Sequence, residues 1–438
     1  MLHLGPFDIP VAPARVLLVG APQSGKSAMM KGFKRSLMQH GATLYDLDNS
    51  DEAVDWYRYH APRGLSIHPI TMRYADGVGI NYAGLIANPL LRELFAEKIF
   101  EDSGKESSRF FSDMAKIVFV ASCEVLNKIA PGEAYLADMV RLAMWPELLN
   151  HLRKAARLDV VKTSVGSGDA KKDVTATVIS RLAPLAAYAA MDMNAKPPRL
   201  NIPLESPGVL VMEWLLMHAP AVSGVFSFLI ECVAAIEMSK QSTDIKMLMG
   251  DEFRLLGKRL NCLPTVAGQG RKFGLGLVLS AHTIGGVRHI YGRELAEEIL
   301  GLCDYKVFLK SRCIETSKWA SECLGEVEIR EDVQSHEGKW SASYKSYRNV
   351  LPSEIRHGLK WPNAKKDVIE GYADFPDVVQ KFNARFMQSV TLKRTENRPL
   401  LSEGDLELPA MSLADMKRLG VSVNQDLFNI FEGKNGEG

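Results

Sequence analysis

Residues 20–27 read GAPQSGKS, with glycines at the first and sixth places and Lys-Ser closing the run. That is the spacing G-x-x-x-x-G-K-[ST] at every fixed position. A phosphate needs converging backbone N–H donors, a helix N-terminus and a cation, and the glycines let the loop wrap closely enough to supply them. On this reading Gly20, Ala21, Pro22, Gln23, Ser24, Gly25, Lys26, Ser27 and Ala28 cradle a nucleoside triphosphate. Lys26 reaches its β/γ-phosphates and the Ser27 hydroxyl ligates Mg²⁺. A second pair, Asp251-Glu252, closes the apolar run Ile245–Met249. An Asp there orients Mg²⁺ through its water shell, and a Glu polarises the attacking water. His282 stands just beyond another apolar run, Leu275–Ser280. Two readings of it stay open, a sensor of the γ-phosphate and a capping or loop histidine.

Such groups need a rigid crest to stand on. Val16–Val19 form a short buried-strand run before the loop, and Met29, Met30, Phe33 and Leu37 recur at helical spacing after it. Further strand runs are Ala42–Leu47, ending among Asp46, Asp48 and Asn49, then Gly208–Met212, Ile245–Met249, Leu275–Ser280 and Tyr305–Ser311. Strands alternating with helices predict an α/β fold on a mostly parallel central sheet, whose ligands bind at the strand C-termini. Leu65–Ile86 is β-prone at first and then loop-like, and from Leu90 to about Arg181 only helical patterns occur. The expected domains are therefore residues 1–90 with 197–398 for nucleotide binding, and 91–196 as an inserted all-helical domain. Residues 399–438 are expected to be a flexible acidic tail.

The chain has 438 residues with 53 Lys+Arg against 52 Asp+Glu, so no global basic field advertises a polyanionic partner. Local charge has to do that work. Arg153, Lys154, Arg157, Lys162, Lys171 and Lys172 cluster beside the segment SVGSGD, either as a solvated helix face or as contacts to a phosphate backbone. The six cysteines (Cys123, Cys232, Cys262, Cys303, Cys313 and Cys323) make no C-x-x-C pair, which argues for reduced thiols in a cytosolic protein. Met1–Pro13 lacks the features of a signal peptide. Val209–Met238 is apolar but interrupted by Glu213, His218, Pro220 and Glu231, so it is expected to be a buried strand and core helix, with no transmembrane segment in the chain.

From Ile9 to about Val378 the motifs, in order, resemble the type IV secretion coupling proteins of conjugation (the TraD/TrwB kind), within the RecA-like hexameric DNA translocases. The resemblance is carried by IPVAPARVLLVGAPQSGKS, YDLDNSD, the long stretch MLMGDEFRLLGKRLNCLPTVAGQGRKFGLGLVLSAHT, and the closing segments CLGEVEI, YRNVLPSEIRHGL and VIEGYADFP. It implies a RecA-like P-loop NTPase with an inserted all-helical domain, assembled as a homo-hexamer that hydrolyses ATP with Mg²⁺ and moves DNA without sequence preference. Lys26, Ser27, Asp251 and Glu252 carry the ATP chemistry, with Ser27 and Asp251 on the metal. Arg271, in GQGRKFG, falls where the family places an arginine finger for the neighbouring subunit's ATP. His282 stands where relatives commonly have Gln. Partners would be the relaxase and other type IV secretion components, with the chain cytoplasmic or peripheral at the inner membrane. Two other uses of the same machinery remain open: a soluble DNA pump of the HerA/FtsK type, and a nucleotide-dependent adaptor that recruits protein substrates through its acidic tail.

Overall fold

The near-continuous apolar runs become strands buried on both faces, as parallel strands under helices must be. The computed structural model describes residues 1–101, 106–159, 169–334, 340–362, 368–385 and 398–433. They divide into two compact units: residues 1–67, 207–209 and 237–395, and residues 68–206, 210–236 and 396–438.

In the first unit the P-loop strand Arg15–Val19 runs parallel between Leu275–Ala281 and Tyr305–Leu309. Lys246–Gly250 follows on the far side of Leu275–Ala281, and Thr43–Asp48 lies beyond it, both parallel. Val368–Phe375 and Val378–Arg385 extend the opposite edge as antiparallel strands. The strands Ser66–Thr71 and Gly208–Glu213, where the chain passes between the units, complete a nine-stranded sheet. The registers Val19↔Ala281, Val19↔Phe308 and Gly250↔Leu279 bring the strand C-termini to one crest. Val16, Leu17, Leu18, Leu277 and Val278 are wholly buried. Each such side chain contributes about 1.5–3 kcal/mol of transfer free energy, so the crest has a rigid base. The long hairpin Glu326–Gln334 with Trp340–Arg348 stands apart as its own two-stranded sheet.

The second unit contains the helical run anticipated from Leu90 onward: Pro89–Phe100, Glu106–Ile129, Leu136–Ala143, Pro146–Ala155 and Asp169–Asn194. Their starts follow from local chemistry. Asn88 accepts from the Leu90 N–H ahead of Pro89, and Pro146 occupies the first turn of its own helix. The stretch around Val209–Met238 is a strand, Gly208–Glu213, and a helix, Ala219–Glu237. Among the described residues, two helices are long and apolar enough to cross a membrane by length and composition alone, Lys172–Asn194 and Leu216–Glu237. In the second of these Glu231 pairs with buried Lys98 at 2.7 Å.

Two expectations are corrected. The closing residues are not a flexible tail as far as they are described. Ser412 and Asn424 cap short helices at Leu413–Arg418 and Gln425–Phe431, and Met416, Leu419 and Leu427 are buried. Apolar residues at helical spacing outweigh an acidic average composition. The basic cluster also loses a member. Arg153 is buried, with its guanidinium on Glu124 Oε2 and Asp159 O, each at 2.6 Å, so it holds the fold rather than a polyanion. Lys154, Arg157 and Lys172 are exposed. Lys162, the Lys171 side chain and residues 164–168 of SVGSGD lie outside the described residues.

Candidate nucleotide site

The P-loop strand ends at Val19, and the helix Lys26–Gln39 begins six residues after Gly20. Gly25 precedes that helix with φ 103°, and a Cβ there would meet Ile369 Cδ1 at 2.5 Å, so glycine is required twice over. Gln23 also takes a positive φ, 63°. Lys26 is folded back and nearly buried, its Nζ donating to Gly20 O at 2.6 Å and Ala21 O at 3.2 Å. Burial lowers its pKa, opposed by the negative charges of Glu252 and Asp251. Ser24 Oγ is buried without a hydrogen-bond partner, a polar atom left over inside the loop.

Across the crest, Asp251 joins the loop to the neighbouring strands. Its Oδ2 accepts from Ser27 Oγ at 3.0 Å, and its Oδ1 accepts from Ser280 Oγ at 2.6 Å. Ser280 Oγ in turn accepts from the Glu252 N–H at 3.0 Å. Glu252 is 2% exposed and holds φ 50°, a left-handed conformation that costs a non-glycine residue free energy. Its carboxylate contacts His282 Nδ1. The structure thus brings Gly20–Ala28, Asp251, Glu252 and His282 together. Of the two readings of His282, the contact is with the glutamate, not with a helix end.

Arg271 is placed elsewhere. It sits exposed in the turn Gly270–Phe273, at the N-terminal end of the strand Leu275–Ala281, whereas the site lies at the C-terminal ends. Gly274 (φ 77°) closes that turn so tightly that a Cβ would meet Asp244 O at 2.3 Å.

No sequence motif singles out Ser280, which links Asp251 to the Glu252 backbone. A lone polar residue at the crest end of an apolar strand was the signal for it. Asp46 and Asp48, which in the sequence look like a strand end, do more than close a strand. Both lie inside Thr43–Asp48, where Lys34 of the P-loop helix donates to Asp46 at 2.6 Å and Asp48 at 3.1 Å. Tyr57 Oη donates to Asp46 at 2.7 Å. This buried cluster pins the P-loop helix to the sheet.

A family model described as the type IV secretion-system coupling protein DNA-binding domain matches residues 4–357. The chain belongs to that family. Among solved structures, the unbound monoclinic form of the bacterial conjugative coupling protein TrwBdeltaN70 matches this coupling-protein chain with TM-score 0.67 and 19% identity, over 85% of each chain. Plasmid coupling protein TrwB in complex with ADP and Mg²⁺ matches with TM-score 0.67 and 17% identity, over 85% of this chain and 86% of that one. VirB4 of Thermoanaerobacter pseudethanolicus matches with TM-score 0.52 and 12% identity, over 85% and 89%. No curated protein sequence matches. The fold is the α/β, RecA-like one anticipated.

The coupling-protein site fits a nucleoside triphosphate with Mg²⁺. The loop offers backbone donors, a cation and an unsatisfied hydroxyl on Ser24, while Ser27 and Asp251 converge as oxygen donors. Among the described residues no cluster of three or more His, Cys, Asp or Glu could cage a metal. A magnesium ion that keeps water and phosphate ligands does not need one.

Proposed function

We propose that this chain hydrolyses ATP and uses the free energy to move DNA, alone or with a relaxase, toward a type IV secretion channel. The observation that carries the reading is the convergence of Lys26, Ser27, Asp251 and Glu252 at one crest, in a chain of the coupling-protein family. Residues 20–28 bind the phosphates and Lys26 leaves its two carbonyls to meet them. Mg²⁺, held by Ser27 and Asp251, supplies charge neutralisation on the phosphate oxygens when bound. Glu252 takes a proton from the attacking water, and His282 keeps the carboxylate oriented. Ser280 holds both Asp251 and the Glu252 backbone, which fixes the distance between metal ligand and base.

Arg271, turned away from its own site, serves a neighbouring subunit of a homo-hexamer, where a guanidinium in trans stabilises transferring charge. That arrangement makes turnover depend on assembly. DNA is held through its backbone without sequence preference, and the chain works in the cytoplasm or peripherally at the inner membrane.

The test is the ATPase rate with and without single- and double-stranded DNA, across protein concentrations, with Lys26→Ala as the blank. DNA stimulation and a specific activity that rises steeply with concentration are expected. Arg271→Ala should abolish that concentration-dependent rise. A rate indifferent to DNA and to concentration would remove the translocase reading and leave a nucleotide-dependent switch.

A further inference from the structure

The strand Tyr305–Leu309 runs parallel beside the P-loop strand, and the chain leaves it at the crest. There the Ala21 N–H donates to Lys310 O at 2.9 Å, which ties the outgoing segment to the loop by main chain. Arg312 follows in that segment. A cavity of about 590 Å³ opens at this point, lined by Ala21 and Gln23 of the loop, by His282, and by Arg312 and Trp361. His282 touches the Glu252 carboxylate, so the cavity adjoins the end of the site where water is activated.

Arg312 is exposed, and its guanidinium carbon lies 5.2 Å from a ring centroid of half-buried Trp361. Lys310 Nζ lies 5.5 Å from a ring centroid of the same indole and donates to the carbonyl of buried Leu359. The indole is thus already occupied by cations. Lys310 is committed to a carbonyl, and Arg312 is not. Among the described residues no carboxylate or carbonyl accepts from the Arg312 guanidinium. A guanidinium carries five N–H donors in a rigid fork, which suits an oxyanion that can accept two of them at once. The cation–π contact holds the charge at the cavity wall without using up those donors. Which oxyanion follows from the lining. Water attacks the terminal phosphate, so the base, the histidine that orients it and a cation sharing their cavity meet at that phosphoryl group.

We infer that Arg312 binds the terminal phosphate of the triphosphate held by its own chain, and that Trp361 positions it. This rests on the ATP-hydrolysing reading above, and adds a cation in cis to the one that Arg271 offers in trans. A contact with the third phosphate alone makes Arg312 a sensor. It has its ligand with ATP and loses it with ADP.

The experiment titrates the full chain, in Mg²⁺, with ADP and with a non-hydrolysable ATP analogue. Arg312→Ala should weaken the analogue about tenfold and leave ADP unchanged, which also reports an intact fold. If the alanine variant does not fold, Arg312→Gln makes the same comparison. Arg312→Lys, which keeps the charge but not the fork, should recover part of the loss. Trp361→Leu should weaken the analogue by a smaller factor, again without touching ADP, and should add nothing in the Arg312→Ala background. Additive losses would remove Trp361 as the positioning residue. Equal weakening of both nucleotides, or of neither, overturns the inference. So does loss of single-stranded DNA with the analogue retained, which would give the guanidinium to a strand phosphate. Lys26→Ala keeps the two readings apart, because it should weaken both nucleotides. Retention of both would sink the P-loop assignment, whereas an Arg312→Ala effect without selectivity sinks only the terminal-phosphate contact.

Discussion

The two units bury charged side chains to opposite ends. Among the described residues of the second unit, Asp138, Asp192 and Lys98 each pair inside the unit, although Arg141 Nε is left without a hydrogen-bond partner. Asp138, fully buried, accepts from Arg141 at 2.6 Å, from Arg418 at 2.7 and 2.8 Å, and from the Tyr135 N–H at 2.9 Å. Asp192 accepts from Arg199 at 2.7 Å, and Lys98 meets Glu231 at 2.7 Å. In the first unit the charges at the crest are held but not used up. Lys26 rests on two carbonyls, Ser24 Oγ has no partner, and Glu252 is kept in a left-handed conformation. Saturated networks stabilise a fold, while partly satisfied ones mark where something else must bind. The difference separates a scaffold from a site, and variants in each unit can test it.

The largest effect should come from Glu252→Gln. The amide keeps size and hydrogen-bonding atoms but cannot take a proton from water, so ATP turnover should fall by about 10²–10⁴-fold. Binding of a non-hydrolysable analogue and the midpoint of thermal unfolding should stay at the wild-type values. Turnover above a tenth of wild type would remove Glu252 from the role of base. A large drop in stability would break the contrast itself, because the crest charge would then be scaffold.

What could be read in advance follows the range of the interactions. Lys26, Ser27 and the strand runs are local patterns, decided by residues within a few positions, and in the structure Lys26 and Ser27 open the helix that follows the strand Arg15–Val19. Asp251 and Glu252 are separated from the P-loop by more than two hundred residues. Their apolar strand and acidic end could still be seen in isolation. Ser280 could not be seen that way, because its role depends on the register that sets Gly250 against Leu279. Arg153 could not either, since its partner Glu124 lies on another helix. The closing segment failed for the same reason. Its average composition is acidic, but its apolar residues Met416 and Leu419 are buried, and Arg418 is anchored on Asp138, 280 residues earlier.

Asp138→Asn should be the converse of the glutamine variant. It leaves Arg141, 4% exposed at the side chain, with only the longer contact to Asp415 at 3.3 Å as countercharge. Breaking a buried pair from one side costs about 3–5 kcal/mol, to be read from urea unfolding monitored by circular dichroism. Analogue binding in native buffer should be unchanged, because the residue touches no part of the nucleotide site. Destabilisation under about 1 kcal/mol would mean that Asp138 behaves as an exposed ion pair does, and the saturated-scaffold view would fail at its most connected residue.

The smallest effect gives the sharpest sign. Burial pushes the Asp192 carboxyl up to about 6, against the pull of Arg199 and the hydrogen bond from the Ile80 N–H. Tyr188, whose own hydroxyl is pushed up by burial and by Asp192, also faces it. Between pH 4 and 6 the folded chain therefore keeps a proton that the unfolded chain has released. The native state binds more protons there, so this residue's contribution to stability falls as pH rises through that window and is constant above it. A shift of about two pH units corresponds to about 3 kcal/mol. Asp192→Asn cannot titrate, yet its amide oxygen can still accept from Ile80. Relative to wild type, the variant should gain stability steadily from pH 4 to 6 and then run parallel. Curves that stay parallel throughout would show that Arg199 holds Asp192 ionised in the fold, and that even this partner is fully satisfied as a charge.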